Sequence, residues 1–446
     1  MRVTASPQPL RRLRDHPPGL WVLAGTELWD RISFKGMQAL LVLYMAGELL
    51  LPGRIGQVAG LGTARAGIEA LTGPLSPQAL AAQIFGLYIA AVTMMPLIGG
   101  WIGDRFTGRR AAVTMGALAM TAGHFALAFD RTFLPALALL VVGVGLFRGN
   151  MTAQVRALYA AGDTRAGDAF QVYMIAVNAG GVIAPLLTGT LARTWGWHAG
   201  FALAGFGMLV GLMIYRLGSR HLPPEPPRRT RADAPAAPLT AEERGRLWAL
   251  AALWPLMIGF WVAQSQVWNL YNLWARDHLD RVVAGFEVPV PWLASLDSLA
   301  PLLIAPLVIA FGARGTHPLN RMALGCLVFA GACLLLVTGA AMGAGGKAAL
   351  GWAVAFHLAS NLGWVLFAPV ETALYAGNAP ERWRGTMLGF ASLAVSAASL
   401  ISGRMGGLYE RVSPETFWAI NAGVVGGTGI LLFALAPLLR KRLASA

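Results

Sequence analysis

Long stretches without a charged residue dominate the chain. Nine are present, at 70–103, 111–129, 169–192, 194–215, 247–275, 322–346, 348–370, 385–403 and 416–439. A helix needs about 20 mainly apolar residues to cross a bilayer, so each stretch predicts one membrane-spanning helix. Three further segments, 20–46, 132–154 and 291–313, reach that length only by including charged residues. The pattern therefore predicts an all-α membrane protein with twelve transmembrane helices.

A polar segment separates the first six predicted helices from the last six. Residues 217–246 are rich in Pro, Arg and Ala and cannot span a membrane. We therefore predict an N-terminal six-helix bundle at 1–216, a cytoplasmic linker at 217–246 and a C-terminal six-helix bundle at 247–446. Major-facilitator transporters are built in this way, with the substrate site near the midplane between the halves. The helix number and the linker alone are equally compatible with other twelve-span proteins.

Basic residues are distributed unevenly between the two sides of the predicted membrane protein. The net charge is +14, from 35 basic and 21 acidic residues. If the N-terminus is inside, the inner segments carry 22 Lys and Arg and the outer loops carry 8. This positive-inside bias predicts that both termini are cytoplasmic. The basicity then reflects topology, and we expect no nucleic-acid partner.

The sequence shows no pattern that indicates catalysis or a bound cofactor. It contains no metal-ligand cluster, phosphate-binding loop or nucleophile elbow, so we predict no enzymatic activity, metal or cofactor. Cys326 and Cys333 lie in one apolar span and are interpreted as core thiols. His124 and His357 fall in or near spans and are interpreted as packed or pore-lining side chains.

Charged residues inside the predicted spans are the main candidates for function, because charge at membrane depth is costly. They are Glu27, Asp30, Arg31, Lys35, Arg148, Asp297 and Glu371. The first four share one stripe of the first helix, which must face protein or water. A carboxylate beside cations in a low-dielectric site can act as a protonation switch. Charge pairing for structure alone is the competing interpretation.

Several collinear segments resemble the proton-dependent oligopeptide transporters, a branch of the major facilitator superfamily. The segment GTELWDRISFKGM resembles that family's first span with its ExxER motif, and GGWIGDRFTGRR resembles its loop between spans 2 and 3. GVGLFRGN is similar to its span 4 motif, and FQVYMIAVNAGGVIAPLLTG to its span 5 signature. The segments GFEVPVPWLASLDSLAPLLIAP and APERWRGTMLGF fit the second half. The resemblance covers essentially the whole chain.

The resemblance implies roles for residues in the first half. The ExxER motif corresponds to Glu27, Asp30 and Arg31, which we expect to couple proton movement to substrate binding. Arg148 replaces the family's span 4 lysine and would bind the substrate carboxylate together with Arg31. Unlike lysine, arginine does not deprotonate in proteins. Asn178 matches the family's span 5 asparagine.

Four positions near the expected outer gate depart from the family pattern. Phe34 and Lys35 replace a tyrosine pair, and Lys35 becomes a candidate for anion binding. Gln38 replaces an arginine and Ser265 a glutamate, which together form the family's outer-gate salt bridge. Both partners are neutral here, so neither charge is stranded. This gate is expected to close through hydrogen bonds or packing.

The expected amine-binding end of the pocket also differs from the family. Trp364 replaces the glutamate that binds the peptide amine, whereas Asp297 replaces an asparagine and adds an acid. Glu371 lies two turns further along the same helix. Asp297 is the candidate partner of a substrate amine. Alternatively, it caps the start of helix 8, a position that favours Asp.

The leading functional hypothesis is a proton-coupled symporter that imports di- and tripeptides or peptide-like solutes by alternating access. It would lie in the cell inner (plasma) membrane, with protons and substrate as its partners and the monomer sufficient for transport. One alternative keeps the coupling but has a non-peptide anionic or amino-acid-derived substrate. Another is a non-transporting membrane sensor or scaffold. The retained coupling motif argues against that alternative, because a scaffold needs no buried ionisable groups.

Overall fold

Twelve long helices form the structure, a computed structural model that describes residues 15–160, 163–225, 239–311, 316–343 and 347–443. They are α1 Pro18–Tyr44, α2 Pro77–Ile102, α3 Arg109–Ala126, α4 Phe133–Ala157, α5 Arg165–Trp195, α6 Trp197–Leu217, α7 Ala241–Trp268, α8 Leu296–Phe311, α9 Pro318–Ala341, α10 Leu350–Asn378, α11 Arg384–Arg404 and α12 Pro414–Leu439. The prediction of twelve helices is confirmed. Ten helical segments of the described chain are long and apolar enough to cross a membrane. The remaining long helices are α1, which carries four charged residues, and α3.

Local sequence signals set the starts of several helices. Proline occupies the first position of α1, α2, α9 and α12, where its missing N–H is not needed. The α7 start is a capping box, in which the Thr240 hydroxyl accepts from the Glu243 N–H and the Glu243 carboxylate accepts from the Thr240 N–H. Helix α7 thus begins at Ala241, earlier than residue 247, where the uncharged stretch starts.

The long helices pack as two groups. In the first, α1 packs against α5 and α6, and α4 packs against α2 and α3. In the second, α9 packs against α10 and α12, and α7 packs against α11 and α12. The groups meet mainly where α2 contacts α11 and α5 contacts α8. The predicted boundary between them runs through residues 226–238, which lie outside the described residues.

The end of the bundle opposite the two termini, here called the distal end, carries most of the short elements. They include helices at Met45–Leu49, Ile55–Gln57, Leu61–Thr72, Leu270–His278, Val290–Leu293 and Gly406–Tyr409. Two-residue strands β1 Leu279–Asp280 and β4 Ala348–Ala349 pair in parallel, and β2 Val282–Val283 and β3 Phe286–Glu287 form a hairpin. Ala284 and Gly285 join β2 to β3 with positive φ angles of 50° and 81°, as a tight hairpin turn requires.

Hydrogen bonds between the two helix groups tie the distal end together. The Arg276 guanidinium donates to the Gln78 side chain at 3.2 Å, and the Trp292 indole donates to the Leu186 carbonyl at 3.1 Å. Ser76 also donates to Glu410 across this end. The structure is therefore closed at its distal end.

A close contact of small residues holds α2 against α11. A Cβ atom added to Gly86 would lie 2.4 Å from the Ser399 carbonyl oxygen and 2.8 Å from the Gly403 Cα. Small residues allow membrane helices to approach closely at such positions. The separation of α2 and α11 therefore depends on Gly86 lacking a side chain.

We expect Gly86→Ala to lower the thermal unfolding midpoint of the purified protein, because overpacking of this kind costs about 1–3 kcal/mol. Gly423→Ala in α12 is the matched control, since nothing lies within 4 Å of a Cβ atom added there. That control should unfold at or above the parent temperature. Equal midpoints for Gly86→Ala and the parent protein would contradict the proposed packing.

Candidate functional site

The acidic residues of α1 face the interior of the helix bundle. Glu27 and Asp30 are 0% exposed, and the side chain of Arg31 is mostly buried. The three residues lie within one helical turn, so their side chains project to the same side of α1. The facing helices α4 and α5 complete the site.

Salt bridges and hydrogen bonds connect these residues to α4 and α5. Arg31 Nε donates to Glu27 Oε1 at 2.8 Å and lies 3.7 Å from Asp30 Oδ2. From α4, Arg148 donates to Asp30 Oδ2 at 3.1 Å through a terminal nitrogen and at 3.3 Å through Nε. From α5, the Tyr173 hydroxyl donates to Glu27 Oε2 at 2.6 Å. We call Glu27, Asp30, Arg31, Arg148 and Tyr173 the charge cluster.

The charge cluster contains two carboxylates and two guanidinium groups, so its formal charges cancel. This pairing is what allows four ionic side chains to be buried. Asp30 Oδ1, however, is buried and has no hydrogen-bond partner among the described residues. A carboxylate with one unpartnered oxygen retains a position where a proton can bind.

Arg148 also contacts the ring of Phe34, one of the two residues that replace the family's tyrosine pair. Its guanidinium carbon lies 4.0 Å from the centre of the Phe34 ring. The ring face attracts the cation and restricts the guanidinium plane. Arg148 is thereby oriented by both Asp30 and Phe34.

Lys35 lies beyond the charge cluster, one turn further toward the distal end. Its ammonium nitrogen is 5.1 Å from the centre of the Trp268 ring on α7. Lys35, Gln38, Trp268 and Asp297 line one cavity of about 20 Å³ between the helix groups. That volume is enough for a single water molecule.

Asp297 forms hydrogen bonds with α10. His357 Nδ1 lies 2.8 Å from Asp297 Oδ1, and Asn361 Nδ2 donates to the same oxygen at 3.4 Å. The other ring nitrogen, His357 Nε2, lies 3.0 Å from the Tyr271 hydroxyl. These contacts join Asp297 to α10 of the same helix group.

Glu371 lies within the second helix group. It is 4% exposed, and its Oε2 accepts from the Trp261 indole at 3.0 Å. Its Oε1 has no hydrogen-bond partner, and no basic residue of the described chain lies within ion-pair distance of Glu371. Among the described residues, Glu371 therefore forms no ion pair with the basic candidates of α1 and α4.

The remaining candidates lie in varied surroundings. Asn178 is partly exposed and its amide donates to the Met174 carbonyl at 2.8 Å, whereas Trp364 is partly buried against the core. The Ser265 hydroxyl lies 3.3 Å from the Ser399 hydroxyl within the second helix group. Gln38 is buried beside the small cavity.

The structure adds partners that sequence reasoning did not assign. Tyr173 contacts Glu27 and His357 contacts Asp297, and neither Tyr173 nor His357 was among the candidate site residues. The only sequence signal for His357 was a polar side chain in an apolar span. Among the described residues, no group of three or more His, Cys, Asp or Glu could hold a metal ion.

Comparisons with known proteins give a consistent family assignment. The POT family model matches residues 110–239 and 236–420. The chain is 27% identical to the peptide transporter YePEPT of Yersinia enterocolitica subsp. palearctica serotype O:3, covering 95% of each protein. It is also 27% identical to a di-/tripeptide transporter of Lactococcus lactis subsp. cremoris, covering 95% of this chain and 96% of the other.

Solved structures agree with the fold. A crystal structure of a peptide transporter POT in complex with sulfate matches with a TM-score of 0.83 and 26% identity, covering 96% of each chain. A POT family transporter in complex with 5-aminolevulinic acid matches in fold, with a TM-score of 0.81, 22% identity, and coverage of 95% of this chain and 97% of the other. The family model spans well over half of the sequence, and the chain therefore belongs to the POT family.

Proposed function

We propose that this chain is a proton-coupled symporter that imports di- and tripeptides or peptide-like small solutes by alternating access. It acts as a monomer in the cell inner (plasma) membrane, with both termini in the cytoplasm and the distal end outside. The observation that carries this proposal is the charge cluster, in which Arg148 pairs with a buried carboxylate that keeps one oxygen free for a proton. Similarity to peptide transporters along nearly the whole chain supports the substrate class.

Proton binding and substrate binding are linked through Arg148. While Asp30 is ionised, its carboxylate forms a salt bridge with the Arg148 guanidinium. A proton on Asp30 removes that negative charge and leaves the cluster with a net positive charge. Arg148 is then free to bind a substrate carboxylate in the two-pronged geometry that guanidinium groups favour. Each ligand therefore strengthens the binding of the other.

Release follows from the reverse exchange. When the proton leaves toward the cytoplasm, Asp30 regains its charge and competes with the substrate carboxylate for Arg148. Glu27 contributes to this cycle because it accepts hydrogen bonds from both Arg31 and Tyr173. Without the Glu27 charge, Arg31 would bind Asp30 more tightly and keep it ionised, which would block the proton cycle.

The other proposed pocket residues complete a site for a zwitterion. Lys35 adds positive charge beside Arg31 and Arg148 on the first helix group. Asn178 and Trp364 would line the pocket, and Asp297 would offer a carboxylate to a substrate amine when the distal end opens. Glu371 has the least support, because Trp261 and the second helix group enclose it.

A second candidate function is transport of an anionic solute that lacks a free amine. The observation that favours it is Trp364, an uncharged side chain at the position where the resemblance implies an amine-binding glutamate. Asp297 also has hydrogen-bond partners already in the closed structure. The two candidates share the charge cluster and differ in their need for a substrate amine.

Glu27→Gln is expected to abolish proton-driven accumulation of a dipeptide in proteoliposomes while leaving counterflow exchange intact. The reason is that exchange needs the substrate site alone, whereas accumulation needs the proton cycle. Glu69→Gln is the matched control, since Glu69 also pairs with an arginine but lies in the distal helix Leu61–Thr72. Accumulation at the parent level in the Glu27 variant would refute its role.

Arg148→Ala is expected to weaken dipeptide binding by about 2–5 kcal/mol, the usual cost of removing one partner of a buried charge pair. Arg148→Lys should bind more weakly than the parent, because lysine lacks the two-pronged geometry. Arg156→Ala, an exposed residue further along α4, is the control and should bind normally. The dissociation constant of the purified protein is the measurement, and an unchanged value for Arg148→Ala would remove it from the site.

Asp297→Asn separates the two candidate functions. If Asp297 binds a substrate amine, this variant should lose affinity for a dipeptide and keep its affinity for the N-acetylated dipeptide. Competition uptake assays with both compounds measure the difference. Normal affinity for the free-amine dipeptide would exclude Asp297 as the amine partner and favour substrates without an amine.

A further inference from the structure

The distal closure of this chain lacks the ion pair that its resemblance to the family implies. The corresponding positions hold Gln38 and Ser265, which are both neutral. Ser265 bonds to Ser399 of its own helix group, so that contact does not join the two groups. Closure between α1 and the second group must therefore depend on other side chains.

Lys35 and Asp297 come from opposite helix groups and face the same small cavity. Lys35 belongs to α1 and Asp297 to α8. Their charges are opposite, and both side chains line this cavity without a direct ion pair between them. The cavity between them, about 20 Å³, can hold one bridging water but no substrate group.

Each of the two side chains has contacts that restrict its position. The Lys35 ammonium lies over the Trp268 ring at 5.1 Å. Asp297 accepts from His357 and Asn361, and His357 is buried and anchored through Tyr271. Fixed positions reduce the entropy that is lost when two charged side chains are brought together.

We propose that Lys35 and Asp297, here called the distal pair, form an ionic lock that closes the distal end, with His357 as a positioning residue for Asp297. This inference rests on the proposed transport function. Lys35 lies one turn before Gln38 on α1, and Asp297 lies at the start of α8. When the distal end opens, the two charges separate, and Lys35 and Asp297 become available to the carboxylate and amine of an entering zwitterion.

The distal pair is tested by the accessibility of a cysteine in the cavity, which requires no transport. The probe is Gln38→Cys in full-length protein whose native thiols are removed by Cys326→Ala and Cys333→Ala. A membrane-impermeant thiol reagent is applied from outside to right-side-out vesicles. Failure of the transport proposal would not change this readout, because labelling reports closure alone.

Removing either charge is expected to speed labelling about tenfold, the change that ~1.4 kcal/mol of lost closing energy produces. The variants are Lys35→Gln and Asp297→Asn. The exchanged pair Lys35→Asp with Asp297→Lys should return labelling toward the parent rate. Lys347→Gln, which removes an exposed distal charge outside the cavity, is the control and should label at the parent rate.

Two results would overturn the lock. One is parent-rate labelling in either neutral variant. The other is an exchanged pair that folds but labels as fast as the neutral variants. If both single neutral variants fail to reach the membrane, the folding of the double variant Lys35→Gln with Asp297→Asn tests the pair instead. Recovered folding supports a pair, since no charge is then stranded, and continued misfolding refutes it.

The positioning role of His357 has its own readout. His357→Asn retains a side-chain donor near the position of Nδ1, whereas His357→Phe retains the ring shape without a donor. We expect the Phe variant to label as fast as Asp297→Asn, and the Asn variant to remain close to the parent. Equal labelling rates for the Phe variant and the parent would show that His357 only fills space.

Discussion

The need to neutralise charge inside the membrane governs this molecule. Helix α1 carries four charged residues within two and a half turns, and it could not occupy a bilayer core with those charges unpaired. Arg148 from α4 and Tyr173 from α5 complete the pairing. The position of α1 against α4 and α5 is therefore fixed by electrostatics as well as by packing, and the proposed proton chemistry arises in the same contacts.

The two helix groups hold their buried charges in different ways. The first concentrates acids and bases in a balanced cluster where one proton changes the net charge. The second bonds Asp297 to His357 and Asn361, and Glu371 to Trp261, without an arginine or lysine in either contact. Such donors let a carboxylate stay buried without a permanent cation. In this account, Lys35 connects the groups because it is the base of α1 that the charge cluster does not use.

The sequence was most informative where a signal is local. Uncharged stretches predicted the helices, and the spacing of Glu27, Asp30 and Arg31 predicted one shared face. The start of α7 was missed because its first turns are polar and are set by the capping box of Thr240 and Glu243. An amphiphilic first turn outside the membrane cannot be distinguished from a linker by hydropathy alone.

Partners from distant parts of the chain could not be predicted in the same way. A tyrosine or histidine in an apolar span does not reveal which helix it will face, so Tyr173 and His357 emerged only from the fold. The same holds for Glu371, which was grouped with pocket residues by its helical spacing from Trp364. The structure encloses it with Trp261, because α7 and α10 pack side by side.

The central claim is that substrate and proton move together through the charge cluster. Its most direct test is proton movement driven by a dipeptide gradient in proteoliposomes that contain the parent protein and a trapped pH-sensitive dye. The account predicts that an inward dipeptide gradient acidifies the lumen, with no acidification in vesicles without protein. Dipeptide entry with an unchanged lumenal pH would contradict it.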